Sequence, residues 1–73
     1  MPHVTVKHFP ATLTPERAAA LSNALTSAIT DAFGCPDTVV SIALQPVPAE
    51  AWDEQVYQPE IASNDSLLKQ PRY

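Results

Sequence analysis

The chain begins with a stretch in which apolar and polar residues alternate. Between Pro2 and Phe9, the β-branched residues Val4 and Val6 are separated by polar ones, which is the period-two pattern of a strand with one buried face. Pro10 follows and ends the strand, because proline has no N–H to donate to a sheet. The first predicted element is therefore a β-strand that starts at the second residue.

The pattern then changes to the three- and four-residue spacing of an amphipathic helix. Thr14 occupies the N-cap position, with Pro15 at the first helical residue and Glu16 in the first turn. Gly34 provides the C-terminal stop, since glycine readily adopts the left-handed conformation found there. The apolar stripe of this predicted helix consists of Ala18, Leu21, Leu25, Ala28, Ile29 and Ala32.

A second run of apolar and β-branched residues extends from Thr38 to Gln45. Its lack of alternation is typical of a strand covered on both faces. Strand, helix and strand with short connections form a right-handed βαβ unit, in which the two strands are parallel. Prolines divide the rest of the chain into two predicted helical turns, at 49–57 and 63–70, which are expected to cover the sheet edge or reach a partner.

The predicted fold class is α/β, in the α+β form of a single βαβ unit with a short helical C-terminal tail, and residues 1–73 form one domain. A domain of this size buries only about 60% of its unfolded surface. The single cysteine, Cys35, excludes an intrachain disulfide as compensation and is itself best explained as a small apolar filler. We therefore expect a homodimer, with a four-stranded sheet and two helices on one face.

Composition narrows the classes of function. Four Lys and Arg against eight Asp and Glu give a net charge of −4, which disfavours nucleic acid as a partner. The single glycine leaves no glycine-rich phosphate loop. No apolar run has the length of a membrane span and the start does not resemble a secretory leader, so we expect a cytoplasmic protein without a membrane partner.

The two histidines do not predict a metal site. His3 and His8 are five positions apart on a strand, so their side chains point to opposite faces and cannot bind one ion. His3 is either a neighbour of the chain's first amine or a surface or interface histidine.

Pro2 carries the candidate chemistry. When Met1 is removed, the nitrogen of Pro2 becomes a free secondary amine, whereas an internal proline nitrogen is an amide without basicity. An amine can act as a general base, and apolar surroundings favour its neutral form. Because many proteins begin with Met-Pro, this feature alone does not identify a function.

Several motifs in a fixed order carry a resemblance. They are Met-Pro-His at 1–3, Ser-Ile-Ala-Leu-Gln at 41–45, Trp52, Glu-Ile-Ala at 60–62 and Lys-Gln-Pro-Arg-Tyr at 69–73. Over nearly its whole length the chain resembles the 4-oxalocrotonate tautomerase family, in particular the small dimeric branch that includes phenylenolpyruvate tautomerases. The resemblance implies a cofactor-free keto–enol tautomerase, with Pro2 as general base and a small 2-keto acid or its enol as substrate.

The chain departs from the founding member of that family at two arginines that hold a dicarboxylate. The loop after the first strand contains none, and Ser41 occupies the other position. Without guanidinium groups, bidentate recognition of carboxylates is missing. We therefore expect the substrate to be an apolar or aromatic 2-hydroxy-alkenoate, such as phenylenolpyruvate. Backbone N–H groups, Ser41 or Gln45 would stabilise the negative charge of its enolate. Of the cations present, Lys7 and Arg17 are predicted to be solvated. Lys69 and Arg72 are better candidates for contacting the substrate, if the tail reaches the site.

Trp52 takes the position of the founding member's aromatic wall, so the resemblance implies that it lines the substrate pocket. An equally open alternative is a tail residue that seals the dimer core. Asp53 and Tyr57 are possible proton relays beside it, although ordinary helix-turn roles are preferred. A second functional hypothesis is a non-catalytic dimeric module that binds small molecules or partners and keeps the fold after losing the arginines.

Overall fold

A computed structural model describes all 73 residues. Strand β1 spans His3–His8, helix α1 spans Pro15–Phe33 and strand β2 spans Ser41–Pro46. The strands are parallel neighbours in a two-stranded sheet, with His3 opposite Ser41 and Lys7 opposite Gln45. The predicted βαβ unit is therefore confirmed.

Helix α1 begins and ends where its capping residues predict. The Oγ1 of Thr14 accepts a hydrogen bond from the N–H of Arg17 at 3.1 Å, which satisfies a donor of the first turn. Gly34 has a φ of 65° and its N–H donates to the carbonyl of Thr30, which is a left-handed C-terminal cap. Within the predicted stripe, Ala28 and Ala32 are exposed in the isolated chain, and the half-buried residues are Ala18, Leu21, Leu25 and Ile29.

Replacing Thr14 by Ala is expected to lower the free energy of unfolding by about 1 kcal/mol, the usual cost of losing an N-cap oxygen. The N–H of Arg17 would lose its acceptor. Thr12→Ala is the matched control, because Thr12 is exposed and precedes the helix. Urea denaturation followed by far-ultraviolet circular dichroism measures both variants. Equal stability of the two would contradict the capping role.

Strand β2 begins at Ser41 rather than at the predicted Thr38. A 3₁₀ turn over Asp37–Val39 comes first, closed by hydrogen bonds from Val39 to the carbonyl of Pro36 and from Val40 to that of Asp37. These local bonds compete with sheet pairing just after a proline. Strand β2 is not covered on both faces within one chain, contrary to expectation, since Ile42 is its only half-buried residue.

The segment after β2 is helical over a longer range than predicted. A 3₁₀ turn at Ala49–Ala51 leads into a π-helix at Asp53–Ile61. The second predicted helical turn, at 63–70, is wrong, because this stretch contains only turns and bends. The side chain of Asn64 donates to the carbonyl of Glu60 at 2.9 Å and accepts from the N–H of Ser66 at 2.8 Å. Such local bonds offer the backbone an alternative to helix.

Different parts of the chain lie against the two faces of the sheet, and they leave most of β2 exposed. One face packs towards α1 across an apolar groove that is lined by Val6, His8, Ala11, Leu13, Leu21 and Leu44. The other face meets the π-helix and the turns after it, in a cleft that includes Thr5, Lys7, Val56, Ile61 and Leu67. None of the helices combines the length and the apolar character needed to cross a lipid bilayer.

The isolated chain exposes more surface than a compact monomer of its mass. Its accessible area is 5754 Å² and only Val47 and Val56 are buried. A folded monomer of this mass exposes about 4,400 Å². The radius of gyration is 13.9 Å, against about 11 Å for a compact domain of this length. The excess area exceeds the roughly 800 Å² that each partner buries in a typical protein interface.

Candidate active site

The N-terminal end of the sheet brings Pro2, His3 and Ser41 together. Pro2 directly precedes β1, and its carbonyl accepts a hydrogen bond from the N–H of Ser41 at 3.2 Å. His3 lies opposite Ser41 in the sheet register, and its Nδ1 is 2.6 Å from the Ser41 Oγ. A hydroxyl group and an imidazole therefore stand next to the residue predicted to act as base.

The imidazole of His3 is held on both sides. Its Nε2 lies 3.2 Å from the Oγ1 of Thr5, which projects from the same face two residues further along β1. His8, by contrast, lines the groove on the helix side and lies 2.6 Å from the carbonyl of Phe9 through its Nδ1. The two histidines thus lie on opposite faces, and only His3 is near Pro2.

The start of the chain is accessible. Met1 is fully exposed and Pro2 is half-buried. With Met1 attached, the nitrogen of Pro2 is an amide. Because no other part of the chain covers Met1, the bond that must be cleaved to free the amine lies at the surface.

An aromatic cluster, formed by Phe9, Trp52, Tyr57 and Tyr73, lies beyond the other end of the sheet. The rings of Phe9 and Trp52 meet edge to face, with centroids 5.1 Å apart and planes at 86°. The indole N–H of Trp52 donates to the hydroxyl of Tyr73 at 3.1 Å, and the rings of Tyr57 and Tyr73 are 5.8 Å apart. Phe9, Trp52 and Tyr73 line an apolar cavity together with Ala49.

Pro2 and the aromatic cluster lie at opposite ends of β1. Pro2 precedes the first residue of the strand and Phe9 follows the last one. At about 3.3 Å per residue, this separation is about 23 Å. Trp52 therefore does not line a pocket around Pro2 of the same chain.

Gln45 also lies away from Pro2. It shares a strand face with Ser41, as the period-two spacing predicts, but it is four residues further along and opposite Lys7. That is about 13 Å along the strand. The structure thus brings Ser41 to Pro2, and it leaves Gln45 at the end of the sheet where Trp52 lies.

The cations do not replace the missing arginines within one chain. The ammonium group of Lys7 pairs with the carboxylate of Glu60 on the π-helix, so Lys7 is not simply solvated. Arg17 and Arg72 are exposed. Lys69 lines a cleft in the C-terminal segment with Ile61 and Pro71. It does not line the aromatic cavity.

Thr5, Phe9 and Tyr73 contact the candidate residues His3 and Trp52, and sequence reasoning did not single them out. Thr5 and Phe9 share the period-two positions of His3, which is a usable signal. Tyr73 has no local signal, because its contact with Trp52 spans 21 positions. Asp53, considered as a proton relay, instead accepts a hydrogen bond from the side-chain amide of Gln58 at 3.2 Å.

Comparison with known proteins shows the family of this chain. Residues 2–56 match the model of a family described as "Tautomerase enzyme". Proteins called Tautomerase PptA are similar over 74 aligned residues that cover 100% of this chain and 97% of each relative. The identity is 40% for the protein of Enterobacter sp. (strain 638), 36% for that of Escherichia coli O9:H4 (strain HS) and 35% for that of Pectobacterium carotovorum subsp. carotovorum (strain PC1).

Proposed function

This chain belongs to the tautomerase family, and from that membership we propose that it ketonises an apolar or aromatic 2-hydroxy-alkenoate such as phenylenolpyruvate, with Pro2 as general base. The observation that carries the proposal is the place of Pro2, which directly precedes β1 beside Ser41 at an accessible end of the sheet. An N-terminal amine fixed to a strand in this way combines basicity with a defined position.

The proposed reaction moves one proton between two atoms of the substrate. After removal of Met1, the amine of Pro2 accepts the proton of the enol hydroxyl at C2. The electron pair of the C2–C3 double bond then takes a proton from the resulting ammonium group at C3, and a carbonyl forms at C2. The product is the 2-keto acid and the amine is regenerated, so atoms and charge balance.

Negative charge develops on the C2 oxygen during this transfer. The hydroxyl of Ser41 is the side-chain donor nearest in register to Pro2, and preorganised donors of this kind stabilise an enolate. A neutral hydroxyl is a weaker donor than a guanidinium group. We therefore expect modest rates and a preference for substrates whose enol form converts readily to the ketone.

A homodimer supplies the apolar wall that Pro2 lacks in one chain. If two sheets pair edge to edge around a two-fold axis perpendicular to the sheet, the strands of the second chain run in the opposite direction. The partner's Trp52 then comes to the end of the sheet where Pro2 lies, and the partner's Gln45 approaches it. The large exposed area of the isolated chain supports such pairing.

The decay of the ultraviolet absorbance of phenylenolpyruvate tests the proposed activity. Protein whose first residue is Pro2 should accelerate this decay well above the rate in buffer. Aliphatic 2-hydroxy-alkenoates should react more slowly than phenylenolpyruvate if the pocket is aromatic. A rate equal to that of buffer with every 2-hydroxy-alkenoate would refute the proposed function.

Replacing Trp52 by Ala is expected to lower kcat/KM for phenylenolpyruvate roughly tenfold, because an aromatic contact with the substrate ring is lost. The loss for a small aliphatic substrate should be less than about threefold. Phe33→Ala is the matched control, since Phe33 is an aromatic residue that is 69% exposed and lies outside the cluster. Equal losses for the two substrates would show that Trp52 is structural rather than part of the pocket.

A further inference from the structure

The imidazole of His3 is close to the proposed base, but the proton transfer by Pro2 does not involve it directly. It has a hydroxyl group within hydrogen-bond distance of each ring nitrogen. Nδ1 is 2.6 Å from the Oγ of Ser41, and Nε2 is 3.2 Å from the Oγ1 of Thr5. These two contacts together define one orientation of the ring.

The tautomer of the ring decides what the Ser41 hydroxyl can do. In a neutral imidazole one nitrogen donates and the other accepts. If Nδ1 accepts, the proton of the Ser41 hydroxyl points at His3 and is not available to a substrate. If Nδ1–H donates, the oxygen of Ser41 accepts from His3 and its own proton is free to point elsewhere. In that case Nε2 is the acceptor, and the hydroxyl of Thr5 donates to it.

We propose that His3 is a positioning residue of the tautomerase reaction: its Nδ1–H donates to the Oγ of Ser41 and thereby turns the hydroxyl proton of Ser41 towards the substrate oxygen beside Pro2. This inference rests on the proposed function. Thr5 completes the arrangement, because in this tautomer its hydroxyl donates to Nε2.

The arrangement also makes Ser41 a better donor. A hydroxyl that accepts a hydrogen bond is polarised by it and donates more strongly to the next group. The hydrogen bonds therefore all point in one direction, from Thr5 through His3 and Ser41 to the substrate oxygen. It partly offsets the missing guanidinium group at the Ser41 position.

A double-mutant cycle tests the coupling between the two residues. Ser41→Ala is expected to lower kcat/KM for phenylenolpyruvate about 10- to 100-fold, as for a lost hydrogen bond to a charged oxygen. His3→Leu should cause a similar loss in the native background and less than about a twofold further loss in the Ser41→Ala background. Independent, additive losses would overturn the proposal. All variants are compared by circular dichroism, because both positions are exposed and a folded protein is expected.

Two conservative variants separate positioning from simple structure. The side-chain amide N–H of Asn reaches the place of Nδ1, whereas that of Gln reaches the place of Nε2. His3→Asn should therefore retain at least about a third of the activity, and His3→Gln should resemble His3→Leu. Equal activity of the Asn and Gln variants would contradict the role of the Nδ1–H.

The imidazole itself gives a readout that does not depend on turnover. ¹⁵N NMR of the native protein should show a neutral His3 with the proton on Nδ1, and Thr5→Val should reduce the population of that tautomer. A proton on Nε2 in the native protein would overturn the inference even if the enzyme is active. A native protein without activity above buffer would refute the proposed function and this inference together, whereas an active, Pro2-dependent enzyme with additive His3 and Ser41 losses would refute this inference alone.

Discussion

Protein that begins at Pro2 is expected to ketonise phenylenolpyruvate with a kcat/KM about 10²- to 10⁴-fold higher than protein that retains Met1. This range is the usual contribution of a general base, and Met1 removes the base because it converts the amine into an amide. A chain of 73 residues can be made by chemical synthesis in both forms. The comparison then does not depend on processing in a host cell.

A side-chain variant completes this experiment. Pro2→Ala keeps a terminal amine but changes its basicity and removes the ring that orients it, so a loss of at least about tenfold is expected. Pro15→Ala is the control, because Pro15 is exposed in the first turn of α1 and lies outside the aromatic cluster. If the Met1-retaining form matched the form that begins at Pro2, the amine would not be the base.

Sedimentation at low micromolar concentration is expected to give twice the 7.9 kDa of one chain. A protomer with two buried residues has almost no core of its own, so folding and association should be coupled. Stability then depends on concentration, and a hundredfold dilution should lower the free energy of unfolding by about 2.7 kcal/mol.

Urea denaturation at two protein concentrations measures this dependence. The midpoint should fall on dilution, and Thr14→Ala should lower the stability by the same amount at both concentrations, because the N-cap acts within one chain. A folded monomer with a midpoint that is independent of concentration would contradict the proposed dimer.

The elements with local signals were predictable from the sequence. Alternation around Val4 and Val6 located β1, and Thr14 and Gly34 bounded α1, because capping depends on neighbouring backbone groups. The start of β2 was misplaced, since the 3₁₀ turn at Asp37–Val39 contains the same β-branched residues that favour a strand. The turns after Ile61 depend on side-chain bonds of Asn64 that composition does not reveal.

The candidate site was predictable only in part, because some of its contacts join residues that are far apart in the sequence. Parallel pairing of two strands of similar length places Ser41 beside Pro2, so that neighbourhood follows from the βαβ pattern. The position of Trp52 depends on how the C-terminal segment packs against Phe9, which is a contact between residues far apart in sequence. Sequence spacing alone therefore did not show that Pro2 and Trp52 lie at opposite ends of the sheet.

The hydrogen bond between the carbonyl of Pro2 and the N–H of Ser41 restricts the motion of the residue proposed as general base. The first residues of a chain usually fray, and a base on a fraying end would sample many directions before each turnover. Here the carbonyl of Pro2 is hydrogen-bonded to β2, and we expect this bond to restrict the orientation of the ring after Met1 is removed. Because this hydrogen bond joins main-chain atoms, most side-chain substitutions at Ser41 leave it intact. Ser41→Pro is the substitution that removes the N–H donor.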